Sequence, residues 1–461
     1  MSHQVSPPIT ILGAGIAGLS AAYHFGHERC VLFESRGTWG GHAGSERSFG
    51  FTFDRGPHVS FTKHPYVREL FEKSVGGEYL EFDVRTRNYF RGSWIDHPAQ
   101  VHLWQVPEEL RSRCYEEMLA VADDTETTPP PADYGEWLQK SFGATFAKTF
   151  PATYTKKYWT VGAEQLTCDW LAGRMHRPSR AQVEAGMQRD SRQALHYITR
   201  VRYPARGGYQ SFLGGMARGA RLELGREVAS IDLKSRRLWF ADGRHHDFER
   251  LVSTLPLNSF VSRCQHVPDA VRDAAEALDC SQLLLVNVCA PHPARVDGHW
   301  FYVYDPELWS TRIHLAERLS PNNAPDGHTG VQVECYFSRH RPLPEQPAQI
   351  AAAVVDELVE MGFVDRTSVD SGDVRMSWRW LPYANVMFTR ERRDALKTIY
   401  QWLEQFGLAP EEDALEPSRD WEALAESRAG SLMLAGRFAE WKYFWTDDCV
   451  LRGRQLAEAS R

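Results

Sequence analysis

Several features are missing from this 461-residue chain, and each absence narrows what it can be. No apolar run approaches the roughly 18 residues needed to cross a bilayer. The opening Met1-Ser2-His3-Gln4 has neither the cationic region nor the apolar stretch of a secretory leader. Cysteine is sparse and dispersed, at Cys30, Cys114, Cys168, Cys264, Cys280, Cys289, Cys335 and Cys449, with no C-x-x-C. That pattern excludes a small disulfide framework and a clustered zinc site, so reduced thiols, no metal and a cytoplasmic location are expected. There is no excess of positive charge: 53 Lys and Arg stand against 60 Asp and Glu. The net charge of -7 excludes an extended surface for nucleic acid or anionic membrane, but leaves room for a local basic pocket. Low complexity, collagen-like composition and internal repeats are absent too.

What is present is a globular chain long enough for two or three domains. It is rich in rings, with 15 Trp, 17 Tyr and 23 Phe. Rings in that number either build a core or line a pocket for a flat ligand.

The apolar run at 9–12 enters Gly13-Ala14-Gly15-Ile16-Ala17-Gly18, a helix follows at 19–25, and 30–34 reads as a strand ending on Glu34. Gly13 permits a tight strand-to-helix turn, Gly15 lets backbone approach a pyrophosphate, and Gly18 lets helix and strand pack closely. The helix N-terminus offers N–H groups to phosphate, and Glu34 can accept from ribose hydroxyls. This is a Rossmann-like dinucleotide unit. The second glycine pair, Gly40-Gly41 before His42, lets the chain pass close to a long cofactor.

Residues 66–120 read as largely helical with a polar interruption at 87–97, and 123–131 as an acidic loop ending in three prolines. Residues 132–200 return to a helical pattern. The stretch 221–256 reads as a β-meander with a turn at Asp242-Gly243, and His245-His246 as an exposed turn rather than a metal site. Strands are expected at 281–290, 330–337 and 432–435, with helices at 349–361 and at the C-terminus.

Together, Gly13 to Gly18, Glu34, Gly40-Gly41-His42 and Gly56-Pro57-His58 resemble the two-dinucleotide-fold flavoproteins of the amine oxidase and protoporphyrinogen oxidase superfamily. Within it the chain is most similar to the UDP-galactopyranose mutases. The motifs that carry the likeness run in order: Gly56-Pro57-His58-Val59-Ser60-Phe61; Arg91 to Gln100; Tyr154-Thr155-Lys156-Lys157-Tyr158-Trp159 with Trp170 to Arg174; Arg202-Tyr203-Pro204-Ala205-Arg206-Gly207-Gly208; and Gly436-Arg437-Phe438-Ala439-Glu440-Trp441-Lys442-Tyr443.

The resemblance implies an α/β fold, with an FAD-binding domain built from residues 1–95, 206–275 and 425–461. A mainly helical cap at 96–205 and a sheet-containing substrate domain at 276–424, with an antiparallel sheet, would complete it. It implies FAD held by Gly13, Gly15, Gly18, Glu34, Gly40, Gly41, His42, His58, Val228, Gly436 and Arg437. It further implies a nucleotide-sugar substrate contacted by Phe61, His97, Gln100, Thr155, Trp159, Arg174, Tyr302, Arg312, Tyr383, Arg437 and Tyr443. His58, Arg174 and Arg312 are the residues it implies in catalysis. Its chemistry would be pyranose–furanose isomerisation, with reduced-flavin N5 attacking the anomeric carbon and displacing the nucleotide. With a single glycine fingerprint, NAD(P)H is expected only as a transient reductant, and a homo-oligomer stays open. His97 stands where the family has a tyrosine and Thr155 where it has an asparagine, which leaves sugar and base open. Two other readings share the motifs: an FAD oxidoreductase of a small amine or C–H bond, and an FAD-binding assembly factor without chemistry.

Overall fold

The glycine-rich turn lies where parallel strands from four distant parts of the chain end side by side. The computed structural model describes residues 9–122, 130–171, 174–189, 200–344, 346–422 and 429–460. In it the strand Ile9–Leu12 is the centre of a five-stranded sheet, flanked by Arg250–Ser253 and Cys30–Glu34, with Leu432–Leu434 and Leu222–Leu224 outermost. All four pairings are parallel. Strands buried on both faces must be apolar throughout, and Ile9, Ile11, Leu12 and Leu32 are indeed fully buried. The helix Ile16–Phe25 packs against the C-terminal helix Thr446–Glu458, with Gly453 at the crossing.

A second, seven-stranded sheet runs Arg375–Val386, Cys280–Ala290, Thr329–Phe337, Arg312–Leu315, Trp300–Val303, Thr86–Phe90 and Ser93–Asp96. Its pairings are antiparallel except Trp300–Val303 with Thr86–Phe90. The helix Pro347–Glu360 covers one face, burying Ile350, Val354 and Leu358 against Phe301, Ile313, Val331 and Val333. Period-two alternation then sends Tyr302, Arg312, Glu334 and Tyr336 to the opposite face. A mainly helical region follows, including Glu108–Ala122, Tyr134–Phe142 and Thr153–Tyr158.

The architecture is the expected α/β one, a parallel sheet joined to antiparallel sheets. Three local readings need correction. Residues 79–86 carry strand rather than helix, because Tyr79–Asp83 pairs with Arg200–Pro204 and Thr86–Phe90 with Trp300–Val303, and the polar interruption at 87–97 holds the rest of Thr86–Phe90 and Ser93–Asp96. Only the three strands from 228 to 247 form the meander; Leu222–Leu224 and Arg250–Ser253 join the parallel sheet. His245 and His246 lie on a strand, His246 bonding Thr10 Oγ1 and packing on Phe33. The acidic part of the proline loop, 123–129, falls outside the described residues. All eight cysteines carry free thiols.

Candidate active site

A cavity of about 1210 Å³ opens at the carboxyl ends of the parallel strands and continues beneath the inner face of the seven-stranded sheet. Every residue singled out from the sequence lines it except Gly18 and Gly40, which stand just behind the lining.

At the parallel-sheet end the backbone geometry suits a dinucleotide. Gly13 has φ +97°, and a Cβ there would fall 2.2 Å from Thr254 Oγ1. A Cβ on Gly18 would fall 2.0 Å from the Gly13 carbonyl oxygen, so this glycine is required by packing. Gly41 has φ +58° and crosses Gly15 so closely that a Cβ would lie 2.9 Å from Gly15 Cα. Gly40 N–H donates to the Ala14 carbonyl at 2.8 Å and holds the crossing. The helix Ile16–Phe25 has Gly15 as its cap and no side chain bonded to its first amides, which leaves that turn open to phosphate. Glu34 is buried, one carboxylate oxygen accepting from Ala14 N–H at 2.9 Å and the other from Arg36 N–H at 2.9 Å. Ser35 Oγ also donates to the second oxygen, at 3.3 Å, so the oxygen bonded to Ala14 is the one that keeps a lone pair for a ribose hydroxyl. Val228 lines the same end from the small antiparallel sheet.

In the middle of the cavity stand two histidines and an arginine. His58 Nδ1 bonds the Gly56 carbonyl oxygen at 2.7 Å; because that partner only accepts, Nδ1 carries the proton and Nε2 is the ring's acceptor. Burial lowers His58 to about 4, with Arg437 and Arg312 adding to the effect. Burial likewise lowers His42 to about 3. Both rings are therefore neutral near pH 7. Arg437 donates to the Phe444 carbonyl at 2.7 Å and to Asn385 Oδ1 at 3.4 Å, so its hydrogen bonds go to neutral oxygens. Gly436, with φ +107°, rests on Ala17 of the glycine helix.

The far end is walled by rings and cations. Arg174 donates to the carbonyls of Trp170 and Tyr443, its guanidinium 4.5 Å from the Tyr443 ring and 4.9 Å from the Trp445 ring. Phe61 packs edge-on against Trp445. Trp159 is buried against Trp170 and Tyr443. Tyr302 lies against His97, whose Nδ1 bonds Asn88 Oδ1 at 3.0 Å. Gln100 donates to the His176 carbonyl, and Thr155 to the Pro151 carbonyl one helical turn back. The Tyr383 hydroxyl is committed to Asn258 Oδ1 at 3.1 Å.

Three cavity groups escape a reading of the sequence. Glu334, directly opposite Arg312 in the strand register, grips it through two hydrogen bonds, Nη2 to Oε1 at 2.8 Å and Nε to Oε2. Alternation through 330–337 marks Glu334 as one face of a strand, but not the partner strand that supplies Arg312. Asn385 Nδ2 and the Tyr154 hydroxyl are buried polar atoms of cavity-lining residues with no hydrogen-bond partner among the described residues. A polar ligand would satisfy both. Tyr154 and Tyr158 stack four residues apart on one helix, a spacing that the quoted motif does contain.

Comparison with known proteins adds four findings. Residues 16–459 match the family model described as flavin containing amine oxidoreductase. The fold superposes on a reduced UDP-galactopyranose mutase with a TM-score of 0.85 and 19% identity, over 99% of this chain and 95% of that one. On a putative protoporphyrinogen oxidase from Exiguobacterium sp. 255-15 the TM-score is 0.69 and the identity 18%, over 99% and 98% of the two chains. A 106-residue segment, 22% of this chain, is 31% identical to a 4,4'-diapophytoene desaturase of Staphylococcus aureus strain Newman, and spans only 20% of that protein.

Proposed function

Since the chain belongs to the flavin containing amine oxidoreductase family, and with it to the FAD-dependent enzymes, we propose that it is a flavin-dependent nucleotide-sugar mutase interconverting pyranose and furanose rings. The observation that carries this reading is the polarity of the chamber next to the flavin end. It gathers Arg174, Arg312 and Arg437 with the unsatisfied Asn385 amide and Tyr154 hydroxyl. Such a lining favours an anion bearing many acceptors and disfavours a protonated amine.

The flavin, when bound, supplies a reduced N5 able to attack an anomeric carbon, so the protein's work is binding and orientation. Gly13, Gly15, Gly41 and the first turn of Ile16–Phe25 hold its pyrophosphate, and Glu34 its ribose. Arg174 and Arg312, with the hydroxyls of Tyr302 and Tyr443, hold the diphosphate of the substrate and steady it as a leaving group. Tyr383 stands at the rim, its hydroxyl tied to Asn258. Trp159 faces the base, while Phe61, His97, Gln100 and Thr155 surround the sugar. Neutral His58 presents an acceptor beside the flavin without adding a charge there.

The test uses the purified yellow protein, with and without dithionite, offered UDP-galactopyranose and UDP-galactofuranose. Ring exchange confined to the reduced enzyme is expected. The segment shared with a desaturase favours a second reading, net oxidation of a small molecule. Absence of exchange with UDP, GDP and dTDP sugars, together with turnover-linked oxygen consumption on an amine or hydrocarbon, would establish that second reading instead.

A further inference from the structure

Behind the cavity wall lies a closed cluster of buried ions that the proposed chemistry does not use. Arg419, Arg452 and Lys442 face Glu411, Asp413 and Glu440, three cations against three carboxylates. The side chains of Arg419, Glu440, Arg452 and Lys442 are at most 3% exposed. Arg419 Nη2 meets Glu440 Oε1 at 2.6 Å and Arg419 Nη1 meets Asp413 Oδ1 at 2.7 Å. Arg452, from the C-terminal helix, grips Glu411 through two bonds of 2.9 Å and reaches Glu440 Oε1 at 3.1 Å. Lys442 Nζ donates to the carbonyls of Asp413 and Glu416.

Desolvating six ions is expensive, and apolar side chains fill such a space at lower cost. One contact explains what an apolar residue could not do. The second oxygen of Glu440 accepts the buried N–H of Gly436 at 3.1 Å, while the N–H of Glu440 donates to the Gly436 carbonyl at 3.0 Å. Glu440 thus closes the loop 436–440 from both sides. That loop carries Gly436 and Arg437 into the cavity and rests on the glycine helix through Ala17.

We propose that Glu440 is a positioning residue: anchored by Arg419 and Arg452, its carboxylate fixes the Gly436-Arg437 turn and so holds the Arg437 charge beside the flavin. The proposal rests on the flavin-side placement of Arg437 given above. In Glu440→Gln the arginines retain the amide oxygen, and the Gly436 N–H loses its acceptor. With that buried donor orphaned the turn loosens, and the FAD Kd of the apoprotein should rise by about tenfold.

The midpoint potential of the bound flavin separates positioning from simple charge. Removing a negative charge alone raises the potential; withdrawal of the Arg437 cation lowers it. A fall is therefore expected in Glu440→Gln, in the direction of Arg437→Ala. Asp413→Asn breaks the same cluster without touching Gly436; it should lower Tm yet keep the FAD Kd within about twofold, and the potential should rise or stay level rather than fall. A potential that rises or stays put in Glu440→Gln, or an Asp413→Asn protein that matches it, overturns the role of Glu440. If Arg437→Ala leaves the potential unmoved, the placement of Arg437 itself is wrong and the proposal falls with it.

Discussion

Among single residues, Arg312 shows how a sequence reading can find a side chain and still miss its state. Its place among rings was legible, but the Glu334 carboxylate that clasps it comes from a strand 22 residues away, and only the register brings the two together. Burial by itself would lower the Arg312 guanidinium; Glu334 more than offsets that and holds it well above its ordinary value. Arg312→Ala should therefore do two things: weaken UDP binding and strand a carboxylate that is only 2% exposed. The second effect costs about 3–5 kcal/mol, and should be visible as a larger loss of denaturant stability than in Arg174→Ala. Adding Glu334→Gln should recover most of that stability and none of the UDP affinity. Equal stability of the single and double variants would show that the pair is not coupled. Acid sensitivity also resides in single side chains. Burial lowers His314 to about 3 from the usual 6.5, with Arg312 and His58 contributing. Between those values the unfolded chain takes a proton that the folded chain refuses, so stability falls as pH drops below 6.5, by about 1.4 kcal/mol per pH unit. Asp54, raised by burial to about 6, works in the opposite sense: the stability it contributes at low pH is lost as pH rises through 6. His314→Gln should flatten the stability profile between pH 6.5 and 4; a profile parallel to that of the parent chain would refute the assignment.

Elements differ in how far their identity depends on distant partners. The unit from Ile9 to Glu34 is legible because its turn, helix and second strand are consecutive and each glycine answers a local demand. Residues 79–86 read locally as helix because their strand character is conferred by pairing with Arg200–Pro204 and Trp300–Val303, more than 100 residues away. The crossing of Ile16–Phe25 with the C-terminal helix lies between these cases, since Gly453 looks locally like an unhelpful glycine within a helix. In the fold it is where the two helices touch: a Cβ would stand 2.5 Å from Ser20 Oγ and 2.6 Å from the Ala21 nitrogen. Gly453→Ala should gain helix propensity and still lose about 1–3 kcal/mol to overpacking. The displaced helix is the one whose first turn is proposed to receive the pyrophosphate, so flavin occupancy after purification should fall as well. A variant as stable and as yellow as the parent would mean that this contact yields freely.

On the scale of the whole molecule, the cavity is shared between layers that have little else in common. The flavin end is made by the ends of parallel strands, the far end by one face of the antiparallel sheet together with the helical region. A nucleotide sugar bridging Arg174, Arg312 and Arg437 would therefore tie the segment around Arg174, the strand Arg312–Leu315 and the turn after Leu432–Leu434 to one another. Any ligand that binds only the folded chain stabilises it by mass action, at about 2.7 kcal/mol when its concentration is a hundred times Kd. UDP should raise the unfolding temperature of the flavin-loaded protein in a saturable way. The Arg174→Ala protein should need about tenfold more UDP for the same shift, because a charge-assisted pair of this kind contributes roughly 1.5–3 kcal/mol. Net charge does not oppose this, since a chain at -7 overall can still hold arginines in one enclosed cleft. Because the contacts lie inside the cavity, the shift should survive 0.15 M salt, at which surface attractions are screened beyond about 8 Å. A shift abolished by that salt would place UDP on the surface, and a shift unchanged in Arg174→Ala would remove that arginine from the diphosphate site.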